Sequence, residues 1–176
     1  MERGTQRFRE LIIYISAKSV HDVHFGAVKL NKVLYYSDFS AFKKFGIPLT
    51  GRVYFRLPQG PAPRALLPIR SELEREGAIR IDKISLGNGI RQDRTIALRA
   101  PVLELFTADE IALVDAVIEQ LWDQTATQVS DASHDVRWKV LQDRDFLPYE
   151  FAYLESGAVS KAELQRTEEL AEKLGW

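Results

Sequence analysis

The stretch from Phe25 to Lys44 constrains the fold most. Val28, Leu34, Tyr35, Phe39, Phe42 and Phe45 recur at helical spacing and make a wide apolar stripe that the rest of the chain has to cover. Gly46 stands where such a helix stops in a left-handed turn, and Pro48 prevents its continuation. Upstream, Phe8, Leu11, Ile12 and Ile15 give residues 5–17 the same period, so a first amphipathic helix precedes the break at Ser19 to His24.

Residues 52–57 (RVYFRL) have the aromatic and branched content of a short strand ending before Pro58. Gln59 to Pro63 (QGPAP) reads as a turn opening a third helix, with proline in the first turn, where its missing N–H is no loss. Pro68 is then expected to kink that helix or restart it, before Ile69, Leu73 and a stop at Gly77. A hairpin follows over 78–99, its strands carrying Ile79, Ile81, Ile84, Ile96 and Leu98, with Asn88-Gly89 as the tight turn. The phase change between Ile81 and Ile84 predicts a bulge.

Thr107 and Glu110 have the spacing of a capping box, and Ile111, Val114, Ile118 and Leu121 continue it as a fourth helix from Ala108 to about Asp123. The polar segment TATQVSDASH leads to His134 and Trp138, which would stack if helical. Residues 143–159 read as loop, and Ser160 with Glu163 caps a terminal helix holding Leu164, Leu170 and Leu174. The expected fold is α+β, predominantly α-helical, a single domain over 1–176 with a small β element. Its first hundred residues run helix, helix, helix, hairpin, which is the order of a winged helix.

Composition narrows the function. The 176 residues are 45% hydrophobic and 28% charged, which is globular rather than disordered, and they include no cysteine. Disulfides, thiolate metal sites and a cysteine nucleophile are thereby excluded. Charges from Glu2 to Glu10 leave no signal-peptide core, and no apolar run reaches a membrane span, so a full-length, cytoplasmic protein without a membrane partner is expected. The net charge of −1 conceals an asymmetry. Residues 1–100 hold 18 Lys and Arg against 9 Asp and Glu, whereas residues 101–176 hold 6 against 16. Either the halves attract each other within the chain, or each faces a partner of opposite charge.

Little in the sequence points to catalysis. His21 and His24 lack a carboxylate at ligand spacing, so no metal or cofactor is expected, and Gly87-Asn88-Gly89 is a turn rather than a phosphate cradle. Asp38 and His134 could share acid–base work if folding joined them, as in a small hydrolase, but no nucleophile stands nearby. Among Tyr35, Tyr36 and Phe39, Asp38 reads instead as an acceptor for a tyrosine or backbone donor. A nucleic-acid partner is the alternative suggested by the basic half and the winged-helix order, but Glu72, Glu74 and Glu76 make the third helix a poor phosphate-facing surface.

One set of residues does form a recognisable pattern. KLNKVLYYSDF (29–39), GIPLTGRVYFRLPQGPAP (46–63) and SHDVRW (133–138) together resemble the Panacea domain of SocA-like antitoxins. Lys29, Leu30, Lys32, Leu34, Tyr35, Asp38, Tyr54, Gly60, Pro61, His134 and Trp138 carry the resemblance, Val33 replaces a leucine of the pattern, and the likeness spans about residues 8–140. The resemblance implies a mostly helical domain with a small β element that neutralises a cognate protein toxin by direct binding, the toxin being encoded by an adjacent gene. One type of member hands its toxin to the ClpXP protease, so a ClpXP-type protease is a second implied partner. The family has no established catalytic residues, and an enzyme is not expected. Residues 141–176 lie outside the pattern, as a C-terminal extension with a closing helix.

A toxin-binding surface draws its energy from aromatic and arginine anchors. Tyr36, Phe55, Tyr149, Tyr153 and Trp176 are the aromatic candidates, with core packing as the competing role for each. The acidic tail, with Glu163, Glu168, Glu169 and Glu172, is the candidate for meeting a basic toxin surface.

Overall fold

The computed structural model describes residues 3–85, 87 and 91–154. Helix α1 (Arg3–Lys18) is buried around its whole circumference from Phe8 to Ser16, rather than along one stripe. Burying every side requires its polar residues to be paired. Arg9 meets Glu72 and Glu76, and Glu10 accepts from Arg99 and from the Val102 N–H. Burial pushes the Glu10 pKa up, but Arg99 and the Val102 N–H outweigh it and hold the carboxyl below its usual range.

Helix α2 (Ala27–Phe45) is the stripe-bearing helix, and it stops as expected, with Gly46 at φ 77° and its N–H on the Phe42 carbonyl. Phe45 lies at the exposed end of the stripe. The expected strand over 52–57 contracts to β1 (Tyr54–Phe55), paired antiparallel with β2 (Ala62–Pro63) on one side and with β5 (Phe146–Leu147) on the other. A two-residue ladder on each edge is all that the Gly60 turn and the approach of residues 146–147 allow.

The proline-opened helix begins later than expected. Residues 59–63 form the turn and β2, and α3 runs Leu66–Arg75 with Pro68, not Pro61 or Pro63, in its first turn. The N–H that Pro68 lacks has no intrahelical acceptor there, so the helix continues past it. Strands β3 (Ile79–Ser85) and β4 (Arg91–Ala97) then pair antiparallel in one continuous register, from Ile79 opposite Ala97 to Ser85 opposite Arg91. The bulge is absent from this ladder: Ile81 and Ile84 simply fall on opposite faces of it. Asn88 and Gly89 lie outside the described residues. The winged-helix order holds over this region, with β1 and β2 inserted between α2 and α3.

Helix α4 (Ala108–Gln120) starts with the expected capping box, Thr107 and Glu110 each serving the other's backbone N–H. The polar segment after it is not irregular. Thr125 and Gln128 form a second capping box that opens α5 (Ala126–Ala132), and Asp135 caps the single turn of α6 (Val136–Lys139). Residues 146–153, expected as loop, make β5 and a 3-10 turn, Tyr149–Tyr153. The beginning of the C-terminal extension is therefore built into the fold, and the expected closing helix after Ser160 lies outside the described residues.

The core has two parts joined by α2. The larger unites Phe8, Leu11, Ile12 and Ile15 of α1 with Leu30 and Leu34 of α2, Leu73 of α3, Ile79 of β3, and Val114 and Ile118 of α4. The smaller holds Tyr35, Phe39, Tyr54, Leu147 and Ala152. Each fully buried aliphatic or aromatic side chain contributes about 1.5–3 kcal/mol. The described helices include none long and apolar enough to cross a membrane.

Candidate functional site

Lys29, Asn31, Lys32 and Asp38 of α2 are buried, and each is tied to a loop. Lys29 forms an ion pair of 2.5 Å with Asp22 and donates to the Gln124 carbonyl at 2.8 Å, fixing the α1–α2 break against the end of α4. Asn31 donates to the Pro61 carbonyl at 2.9 Å. Lys32 donates to the carbonyls of Gln59 at 2.6 Å and Pro61 at 3.3 Å. Asp38, completely enclosed, accepts from the Thr50 N–H at 2.7 Å, the Thr50 hydroxyl at 2.5 Å and the Tyr54 hydroxyl at 2.9 Å. This is the tyrosine and backbone acceptor role expected for it.

Burial shifts Lys32 and Asp38 away from their charged forms. Lys32, with no carboxylate partner among the described residues, falls from 10.5 to about 7 through desolvation. Burial also raises Asp38, more than its hydrogen bonds from Thr50 and Tyr54 lower it, and Tyr54 rises through burial and the adjacent Asp38.

The Gly-Pro turn is clamped from a second side. Gly60 sits at φ 89° and closes the turn by donating to the Leu57 carbonyl at 2.9 Å. A β-carbon there would overlap the Lys32 ammonium and the Ser133 hydroxyl, so only glycine fits between the α2 and α5 sides. Ser130 donates to the Gln59 carbonyl at 3.0 Å, and the Trp138 indole N–H donates to the Leu57 carbonyl at 2.8 Å. The Arg56 guanidinium lies 3.8 Å over the Trp138 ring, and His134 stacks against that ring at 4.1 Å, the stacking expected from their spacing.

Lys32, Gly60, Pro61 and Trp138 thus converge on one loop, with His134 one ring removed. Asp38 and Tyr54 meet each other in the smaller core, where Tyr35 packs on Phe39 at 4.6 Å, while Leu30 and Leu34 fill the larger one. The structure does not join the acid–base pair: among the described residues no hydrogen bond or ion pair links Asp38 to His134. Nor does any group of three or more His, Asp or Glu there have the arrangement to hold a metal.

Beside the clamped loop a cavity of about 490 Å³ opens between the start of α2, residues 55–63 and α3. Its wall is mainly apolar, with Val28, Phe55, Leu57, Pro63, Leu66 and Leu67, and its charged lining residues are Arg64, Arg70 and Arg144. Arg70 is 4% exposed, and its Nε and Nη2 have no hydrogen-bond partner among the described residues. Burial lowers its pKa, while Asp93 and Glu74 act in the opposite sense from a distance. The first turn of α2 forms part of the wall through Ala27 and Val28, and no side chain caps that helix at Gly26.

The aromatic candidates fall in different places. Phe55 lines the cavity, with the Arg64 guanidinium 5.4 Å over its ring. Tyr36 is half-buried against both cores, and burial pushes its hydroxyl up to about 12. Tyr149 packs on Phe39 and donates to the Arg52 carbonyl at 2.7 Å, so its ring is integrated in the fold. Tyr153 is 56% exposed at the edge of Phe42, and Trp176 lies outside the described residues. Sequence reasoning passed over Asn31, Ser130 and Arg70. The Thr125–Gln128 spacing would have placed Ser130 on a helix, whereas an arginine in a mixed-charge helix gives no sign of its burial.

Among known families, residues 30–139 match the one described as antitoxin SocA-like, Panacea domain. No curated protein and no solved structure matches the chain.

Proposed function

The chain belongs to the SocA-like antitoxin, Panacea domain family, and from that membership we propose that it binds a protein toxin encoded beside it and neutralises it by direct contact. The match over residues 30–139 carries this reading. The chemistry of the matched residues supports a binding role rather than an enzymatic one. Lys32 and Asp38, the charged groups that a reaction would draw on, are spent on the backbones of Gln59, Pro61 and Thr50, as Lys29 just before the matched stretch is on Asp22. Each holds a separate segment in place, Lys29 the α1–α2 break, Lys32 the Gly-Pro turn and Asp38 the chain at Thr50.

The duplex-DNA alternative loses much of its premise in the same way. Arg9 and Arg99 pair with carboxylates, Arg94 donates to the carbonyls of Ser19, Val20 and Asp22, and Arg70 is buried. The basic first half therefore presents less free charge than its count implies.

Co-expression with the adjacent gene tests the proposal. That gene alone should arrest growth, the pair should restore it, and the two products should copurify. A harmless neighbour that does not copurify would sink the reading. Direct inhibition predicts that purified chain blocks the purified toxin without a protease. If protection instead requires ClpXP and shortens the toxin's lifetime, the chain is a proteolytic adaptor.

A further inference from the structure

We propose that the cavity between α2, the 55–63 segment and α3 receives a segment of the partner protein that carries a carboxylate on an apolar body. The inference deepens the antitoxin reading and rests on it. Three observations converge on the ligand's chemistry. First, among the described residues the charged side chains lining the cavity are all cationic: Arg64, Arg70 and Arg144. Second, Arg70 is 4% exposed with two guanidinium nitrogens unpartnered, an expensive state for a fork that pairs two donors with one carboxylate. Third, α2 is 19 residues long, has no side-chain cap, and places Ala27 and Val28 in the same wall. Its uncapped N-terminus favours negative charge at the site that Arg70 also favours.

The remaining wall fixes the rest of the occupant. Phe55, Leu57, Pro63 and Leu66 ask for an aromatic or branched aliphatic group, and the volume of about 490 Å³ suits one to a few residues rather than a whole helix. At the mouth, Leu67 is 70% exposed beside Arg64, so apolar and cationic surface continues outward from the cavity. A free metabolite would leave that rim uncovered, whereas a protein segment covers it. Asp93 and Glu74 bias Arg70 electrostatically but accept no hydrogen bond from it, and an incoming carboxylate meets Nε and Nη2 as the Arg70 side chain turns toward the cavity.

The test has two arms. Isotope-labelled full chain is titrated with N-acetylphenylalanine and with its amide, which keeps the ring and lacks the charge. The acid should shift the Ala27, Val28 and Leu67 amides saturably and the amide should bind at least about tenfold more weakly, with the difference lost in Arg70→Met. Equal binding of acid and amide, shifts elsewhere, or equal shifts from inorganic phosphate alone would each overturn the proposal.

In the second arm Leu67→Asp and Arg64→Glu, both on exposed positions that a folded chain tolerates, are copurified with the co-expressed neighbour. Each should weaken capture at least about tenfold. Undiminished capture overturns the cavity's role while leaving the antitoxin reading intact. A neighbour that the unaltered chain fails to capture overturns the antitoxin reading, and with it the protein occupant, while the first arm still reports the chemistry of the cavity.

Discussion

Lys32 shows how a family-pattern residue can be structural and still leave a functional trace. Its ammonium is buried against two carbonyls with no counter-charge, so the folded chain gives up the proton near pH 7, while the unfolded chain holds it to about 10.5. Between those values the unfolded state binds more protons, and stability therefore rises with pH. Lys32→Met should remove that rise, so in urea unfolding from pH 6 to 10 the unaltered chain should gain on the variant as pH increases, the variant being the more stable of the two at the acid end. Its cost once Lys32 is neutral should stay near 1 kcal/mol, because the Gln59 and Pro61 carbonyls keep Ser130 and Asn31 as donors. A flat difference would show that Lys32 stays charged when buried. Gly60→Ala should be harsher, costing more than about 2 kcal/mol, since it combines a left-handed backbone with overlap on two sides. A thermal midpoint unchanged from the unaltered chain would refute the clamp. The sequence pattern named Lys32 and Gly60 but could not say that they touch, because a pattern gives identities and spacings along the chain while the contact joins α2 to a loop 27 residues later.

At the scale of elements, the long-period signals were readable and the short ones were not. The α1, α2 and α4 helices follow from apolar spacing, and Thr107 with Glu110 marks a start that the structure keeps. The β1, β2 and β5 strands are two residues each, too short to carry an alternation, and their pairing depends on residues brought together from 54, 63 and 147. Helix α5 was hidden for another reason: Val129 is its one buried residue, so it has almost no apolar stripe, and only its capping box announces it. That makes the cap a large part of its stability. Thr125→Ala should cost about 1 kcal/mol and lower the melting midpoint by roughly 2–4 °C. It should also loosen the loop that Ser130 holds, seen as faster amide exchange at Gly60. Slow exchange at Gly60 despite the lost cap would mean that α5 is held by packing alone.

Across the whole molecule, part of the charge asymmetry is used internally. Arg7 with Glu110, Lys18 with Asp115, and Arg56 with Asp143 each join the basic half to the acidic one. Glu163, Glu168, Glu169 and Glu172 lie outside the described residues, and they are the tail residues that the charge pattern offers to a basic toxin surface. Replacing Glu163, Glu168, Glu169 and Glu172 with glutamine should weaken toxin binding and flatten its salt dependence. Unchanged affinity would mean that the asymmetry serves the chain alone. The position of β5 bears on a different matter, the portability of the domain. Leu147 completes the sheet on the open side of Tyr54, and Phe8 through Ile15 fill the larger core, yet both lie beyond the family-matched stretch 30–139. A chimera that grafts only that stretch onto another protein would carry the clamped loop while baring a sheet edge and half of a core, so transplantation needs both flanks.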